Sequence, residues 1–278
     1  MRGALVQEWI RLRTLRSTWW LSGVSLVVTT MLAVAFTLTA GTSTAARLGL
    51  PRGAGSPAVL GDQASFALVL SSAMQMTTLL VGLIGVFAFG HDYRHGTILP
   101  MLTSVPRRNS LASAKLVGVA LWAAAVGVLC IALSAVVLVV VGGGRFAPGV
   151  GFADGRTARV VGGTVILVVL FSLIGLGLGW LLRNVPAAVS LLFVLPVAVE
   201  PILRVLLSVD ALHSLAGAGR FLPFTAGGQL VAYTTKVDPS VPEAFRNDLS
   251  PLAGGLTFTA VVAVLLVISA VLFRRRDA

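Results

Sequence analysis

The sequence predicts an all-α integral membrane protein with six transmembrane helices. Hydrophobic residues fill 56% of its 278 positions, charged residues fill only 11%, and the mean hydropathy is +0.95. A water-soluble domain typically carries about 25% charged residues. The apolar runs are continuous instead of alternating at every second residue, which favours helices over a transmembrane barrel.

Six apolar runs are long enough to cross a bilayer core, which requires about 20 residues per helix. They lie near residues 18–41, 65–90, 111–141, 158–182, 186–207 and 252–273. No soluble segment of domain size lies between them, and the sequence contains no internal repeat. We therefore expect residues 1–278 to form a single membrane domain. The first run is too long for the apolar region of a signal peptide, and we expect it to be retained as a span.

Basic residues lie mainly on one side of the predicted membrane. If the N-terminus is cytoplasmic, the inside segments hold 12 basic residues in 50 positions and the outside segments hold 7 in 81. The positive-inside rule then predicts that both termini are cytoplasmic. The charges flank spans and form no single soluble face, so no nucleic-acid partner is predicted. Trp19, Trp20 and Trp180 are expected in the cytoplasmic aromatic belt.

Residues 1–17 predict a helix that lies in the cytoplasmic interface and contacts membrane lipids. Its apolar stripe consists of Leu5, Trp9 and Leu12. Glu8 and Arg13 fall at the edges of the stripe, so a plain positively charged tail is the alternative. The basic side chains expected to extend toward lipid phosphates and water are Arg11, Arg13 and Arg16.

Glu200 is the acidic residue that lies well inside an apolar run, and such a residue in a membrane is a functional candidate by default. It could be the proton site of a secondary transporter, or it could pair with Arg204 four residues later. Its position about 14 residues beyond Pro186, roughly 21 Å along the helix, favours structural pairing near the outer boundary. Pro196 and Pro201 are expected to break the helix there.

The sequence contains no recognisable catalytic motif. Neither of the two lysines, Lys115 and Lys236, ends a glycine-rich phosphate loop, so this chain is not predicted to bind ATP or another cofactor. No HExxH or Gly-x-Ser-x-Gly motif is present. His91 and His95 are four residues apart, but we expect ordinary interfacial histidines instead of a metal site. Any nucleotide-driven step must therefore come from a partner.

The segment 91–115 is charged and rich in turn-forming residues, although it joins two long apolar runs. Gly96 can end a helical turn and Thr97 can cap a new one. Pro100 and Pro106 limit the length of the element in this segment, which must therefore be short. About 20 residues are used where about five would connect two helices, which indicates a recognition role for this segment.

This segment resembles the signature that follows the second span in type-2 permeases of ATP-binding cassette transporters, notably actinobacterial ones. The matching residues are Asp92, Tyr93, Arg94, His95, Gly96, Thr97, Ile98, Leu102, Pro106, Arg107 and Lys115. The opening EWIRLRTLRSTWW is similar to the N-terminal interfacial helix of that family, and RFLPF at 220–224 resembles a segment between spans 5 and 6. The family usually has Glu at the position of Asp92.

The resemblance implies a permease subunit of an ATP-driven exporter in a bacterial plasma membrane. Two six-span subunits, identical or different, would pair, and each would dock a cytoplasmic ATPase that binds ATP and Mg²⁺. The segment after span 2 would form a coupling helix, with coupling residues Asp92, Tyr93, Arg94, Gly96, Thr97, Leu102, Pro106 and Arg107. Residues 208–235 would form short external re-entrant helices that help close the outer end of the path. The candidate path or outer-gate residues are Glu200, Arg204, Phe221 and Phe224.

Two alternatives stay open. The chain could be a proton-coupled secondary transporter that uses Glu200, or a non-transporting membrane subunit that binds a partner through segment 91–115. Apolar path walls fit amphipathic or lipid-like cargo.

Overall fold

The computed structural model describes residues 2–39, 63–94, 108–142, 154–233 and 249–276, and within these ranges the chain forms helices and no strands. The α-helices are α1 (Arg2–Thr14), α2 (Arg16–Thr39), α3 (Gln63–Arg94), α4 (Arg108–Gly142), α5 (Gly155–Leu182), α6 (Val185–Val194), α7 (Glu200–Leu207), α8 (Pro223–Gly228) and α9 (Pro251–Arg276). A π-helical turn, Leu195–Val199, joins α6 to α7. Two 3₁₀ elements, Asp210–Phe221 and Gln229–Val231, flank α8.

The predicted class of all-α membrane protein is confirmed. Five helical stretches among the described residues are long and apolar enough to cross a membrane: Arg16–Leu38, Ala112–Gly142, Gly155–Leu182, Val185–Leu207 and Pro251–Leu272. The second predicted run lies in α3, which is 32 residues long and contains the apolar stretch Met76–Gly90. Each predicted run therefore coincides with a helix, to within a few residues at either end.

Helix α5 is the centre of the bundle. In the membrane-spanning part of α5, 67% of the residues are buried, whereas in that of Val185–Leu207 only 11% are buried. Glycines let α5 and α3 approach backbone to backbone: a Cβ atom added at Gly85 would lie 1.9 Å from the carbonyl oxygen of Ser172, and one added at Gly175 would lie 2.0 Å from that of Gly82. Small residues at such crossings are a common means of packing helices in a membrane.

The buried face of α2 carries hydroxyl side chains. Thr18, Ser22, Ser25, Thr29 and Thr37 recur along this face and are all buried. Ser22, Thr29 and Thr37 donate to backbone carbonyls four residues earlier, which satisfies each hydroxyl inside its own helix. Ser22 also accepts a hydrogen bond from the Trp122 indole nitrogen of α4 at 3.1 Å.

The helix does not break at Pro196, contrary to the expectation from the sequence. The chain widens into the π-helical turn, in which the Glu200 backbone N–H donates to the Leu195 carbonyl, five residues earlier. Proline lacks the N–H of a regular helical hydrogen bond, and the wider turn accommodates this loss. Pro201 lies in the first turn of α7, where a missing N–H is tolerated.

The two ends of the bundle are formed by different elements. At the N-terminal end, α1 meets the last turns of α3 and the first turns of α4. At the other end, residues 210–233, here named the short-helix segment, pack against α5 and α9. Trp180 lies at the N-terminal end, but it is buried and stacked on Phe89 with ring centroids 4.7 Å apart, so its predicted place in an aromatic belt was wrong.

Candidate functional site

A buried ion cluster ties three helices together at the N-terminal end. Glu8 of α1 is 3% exposed, and its carboxylate accepts hydrogen bonds from Arg11 Nη1 at 2.9 and 3.2 Å and from Lys115 Nζ at 3.4 Å. Lys115 belongs to α4 and is 1% exposed. Burial of ionised groups is tolerable when each has a partner of opposite charge and a hydrogen bond, as the Glu8 carboxylate has with Arg11 and Lys115.

The third helix joins the cluster through its backbone. The carbonyl oxygen of Ala88 in α3 accepts from Arg11 Nη2 at 2.8 Å and from Lys115 Nζ at 3.1 Å. The Lys115 ammonium also lies 5.1 Å from the ring centroid of Phe89. The cluster therefore fixes α1 against the last turns of α3 and the first turns of α4, the two helices that bracket residues 95–107.

The predicted helix at residues 1–17 exists as α1, but its orientation differs from the expectation. Leu12 is buried beside Glu8, and Arg11 extends into the protein to the cluster instead of outward to lipid phosphates. Trp9 is 46% exposed and meets Trp122 edge to face, with centroids 5.9 Å apart. Arg13 is exposed, as predicted, and so is Arg16, which lies in the first turn of α2.

The predicted coupling residues fall largely outside the described residues. The backbone of Asp92, Tyr93 and Arg94 forms the last turn of α3, but their side chains lie outside what the structure describes. The remaining predicted coupling residues also lie outside the described ranges: Gly96, Thr97, Leu102 and Pro106, with Arg107 directly before the first residue of α4.

At the opposite end, Glu200 caps the short-helix segment. It is 5% exposed, and its carboxylate accepts from the backbone N–H of Phe224 at 2.9 Å and from both the backbone N–H and the hydroxyl of Thr225. These N–H groups are among those at the start of α8 that have no partner inside the helix. Glu200 thus acts as an N-terminal cap supplied from a distant part of the chain.

Arg204, the predicted partner of Glu200, lies one turn later in α7 and is partly buried. The negative charge of Glu200 attracts it electrostatically. The carboxylate also accepts the hydrogen bonds from residues 224 and 225 described above. These contacts fit the structural interpretation of Glu200.

The short-helix segment is held on its other sides by α5 and α9. A Cβ atom at Gly163 would lie 2.0 Å from the Leu230 carbonyl oxygen, and one at Gly254 would lie 2.4 Å from that of Ala226. Phe224 joins Phe171 of α5 and Phe258 of α9 in an aromatic group with centroid separations of 5.4 to 5.7 Å. Phe221, in contrast, is 49% exposed, so the two predicted gate phenylalanines have different surroundings.

The end of the segment is fixed by the first turns of α5. Arg159 donates to the Ala232 carbonyl at 2.9 Å and to that of Tyr233 at 3.3 Å. The Tyr233 hydroxyl donates to Asp154, which also caps α5 through the Thr157 backbone N–H. Burial raises the pKa of the Tyr233 hydroxyl, and the charge of Asp154 raises it further, so this hydroxyl stays protonated as a donor.

Glu8 and Lys115 are the members of the ion cluster whose role the sequence interpretation missed. The available signal was compositional: Glu8 is the single acidic residue before Asp62, and Lys115 is a lysine in a chain where 19 of 21 basic residues are arginine. Arginine is always charged and prefers planar partners, whereas lysine carries a compact ammonium that fits a small buried site. Periodicity alone could not pair residues that are 107 positions apart.

The described residues contain no group of three or more His, Cys, Asp and Glu side chains that could hold a metal ion. In comparison with known proteins, no family model and no curated protein matches this chain.

Proposed function

We propose that this chain is the membrane-spanning permease subunit of an ATP-driven exporter, powered by a separate cytoplasmic ATPase that binds ATP and Mg²⁺. The observation that carries this proposal is the buried cluster of Glu8, Arg11 and Lys115, which joins α1, α3 and α4 at the base of residues 95–107. A partner that pulls or pushes on that segment would move three helices as one unit.

In this proposal α3 also crosses the membrane, as the second of six spans, and both termini face the cytoplasm of a bacterial cell. The close α3–α5 contact would pass motion from the N-terminal end to α5, and α5 would pass it to the short-helix segment through Gly163. An ATPase can shift the permease between inward-open and outward-open states only if it binds residues 92–107 differently in its own two states. Two such permease subunits, identical or different, complete the path.

Leu102→Asp is expected to uncouple the permease from its ATPase. A charge on the short element between Gly96 and Pro106 would oppose its burial in a groove of a partner. The variant should reach the membrane at the wild-type level but should lose both co-purification with the partner ATPase and ATP-dependent export of a fluorescent amphipathic dye from vesicles. Leu102→Met is the matched control and should retain both. Wild-type export by Leu102→Asp would contradict the proposal.

Glu200→Gln separates this proposal from a proton-coupled secondary transporter. Glutamine keeps one acceptor oxygen but turns an NH₂ group toward the N–H donors of Phe224 and Thr225, so we expect a loss of about 1–3 kcal/mol in stability. ATP-dependent dye export should continue in this variant, and a protonophore should leave wild-type export unchanged. Export that stops with the protonophore, and that Glu200→Gln also abolishes, would favour the proton-coupled alternative.

A non-transporting subunit is the remaining alternative. It would bind an ATPase through residues 92–107 without moving cargo. Vesicles that contain the chain and the ATPase, compared with vesicles that lack either one, distinguish this alternative by whether ATP drives any export.

A further inference from the structure

An open groove runs along the exposed face of α2, beginning near the N-terminal end of the bundle but outside the ion cluster. Its volume is about 460 Å³, and it is lined by Trp19, Trp20, Gly23, Val24, Val27 and Val28. Trp19 is 55% exposed and Trp20 is 74% exposed. The absence of a side chain at Gly23 leaves a gap in this lining, here named the notch, and a Cβ atom added there would meet nothing within 4 Å.

The aromatic side of the groove is fixed by specific contacts. The Trp19 indole nitrogen donates to the Arg13 carbonyl at 2.7 Å. Its ring meets Trp122 edge to face, with centroids 5.5 Å apart and an interplanar angle of 89°. A tryptophan with its position fixed in this way provides a preformed apolar wall, which lowers the entropic cost of binding a chain-like ligand.

Positive charge lies at one end of the groove. Arg16, Trp20, Gly23 and Val27 follow each other at intervals of four, three and four residues, so they share one face of α2. Arg13 and Arg16 are exposed, and neither forms an ion pair with another described residue. Glu8, the acidic residue closest in sequence, is buried and already accepts from Arg11 and Lys115.

The dimensions of the groove match one leaflet of a bilayer. From Trp19 to Val28 the helix rises about 14 Å at 1.5 Å per residue. Half of a bilayer core measures about 15 Å. An acyl chain that begins at the arginines would therefore lie along the groove and end near the middle of the membrane.

We propose that this groove is a binding site for one anionic phospholipid, whose phosphate pairs with Arg13 and Arg16 and whose acyl chain lies against Trp19, Trp20 and the notch at Gly23. Charge complementarity selects the headgroup, because guanidinium groups bind phosphate oxygens through charge-assisted hydrogen bonds. The notch and the two tryptophans favour a ligand with an acyl chain over a free phosphate ion. This site is independent of how transport is powered.

Tryptophan quenching by brominated lipids tests the site on the full chain in vesicles of phosphatidylcholine and phosphatidylglycerol. Wild-type protein should prefer brominated phosphatidylglycerol by about fivefold or more, since each basic residue near an anionic surface contributes about that factor. In Arg13→Gln/Arg16→Gln the preference should fall to near one. The matched charge control is Arg156→Gln at the opposite end of the bundle, which should keep the wild-type preference.

Gly23→Leu tests the chain-binding part. The added side chain would meet no other atoms of the protein, so the variant should fold. The leucine should fill the notch, however, and reduce the retention of phosphatidylglycerol in native mass spectra severalfold. Gly162→Leu, at another glycine whose added Cβ would meet nothing within 4 Å, should retain lipid as the wild type does. Equal quenching by both lipids in wild-type protein would indicate only the ordinary lipid shell and would overturn the site.

Two other occupants give different results. If inorganic phosphate displaces phosphatidylglycerol, the site binds a headgroup anion without a chain, and the proposal fails. If Gly23→Cys forms disulfide-linked dimers in vesicles, a second copy of the chain covers the groove, and the proposal fails as well. Absence of both effects, together with the lipid preference above, supports a lipid site.

Discussion

Replacing Glu8 with alanine is expected to lower the free energy of unfolding by about 3–5 kcal/mol, because the buried ammonium of Lys115 would lose this carboxylate. Lys115 is 1% exposed, so water cannot replace the lost partner without disturbing α4. The Ala88 carbonyl would continue to accept from Arg11 and Lys115, but a neutral carbonyl cannot balance two cations. We expect α1 to detach from the bundle as a result.

The measurement is SDS-driven unfolding in mixed micelles, followed by circular dichroism. The double variant Glu8→Ala/Lys115→Met should lose less stability than the two single variants added together. The reason is that methionine removes the buried positive charge that Glu8→Ala leaves without its carboxylate. Arg13→Ala on the same helix is the control and should change stability by about 0.5 kcal/mol or less, since its side chain is exposed. A Glu8→Ala protein as stable as the Arg13→Ala protein would show that the cluster contributes little.

The second large effect is expected at the α3–α5 crossing. Gly85→Ala should cost about 3 kcal/mol, at the upper end of what overpacking does. The new methyl group would lie 1.9 Å from the Ser172 carbonyl oxygen and 2.8 Å from the Leu176 nitrogen, and backbone atoms in a helix cannot rotate away. The two helices would have to separate.

Gly162→Ala on α5 is the matched control, and it should have the opposite sign. Nothing lies within 4 Å of a Cβ atom at that position. Alanine in an exposed helix should therefore stabilise the protein by about 0.5–1 kcal/mol through the lower entropy of its unfolded state. Equal effects of the two substitutions in the same unfolding assay would contradict the close crossing.

The helices could be predicted from the sequence because hydrophobicity and length suffice for a membrane span. The run predicted at 158–182 begins only three residues after the observed start at Gly155, where Asp154 caps the helix. The gap between the runs predicted at 158–182 and 186–207 also matches the break between α5 and α6, where Arg183 has φ 53° and Asn184 caps α6. These are local signals, and local signals are readable in one chain.

The contacts at the two ends could not be predicted, because they depend on which face of each helix turns inward. Apolar residues fill every face of a membrane helix, so periodicity does not distinguish lipid-facing from buried positions. The apolar stripe of residues 1–17 predicts Glu8 at its edge, although the residue is buried. The same ambiguity affects Trp180, since tryptophan is common both at membrane interfaces and in packed contacts such as the one with Phe89.

The π-helical turn at Leu195–Val199 has a consequence for comparing this chain with others. A wide turn holds one residue more than a regular one, so the faces of α6 and α7 are offset by about 100° around the common axis. Deleting one residue from this turn would bring the two halves into phase and would carry Glu200 away from the Phe224 N–H, while the run stayed as apolar as before. A single-residue gap in this stretch of valines and leucines would thus mark the loss of the cap on α8.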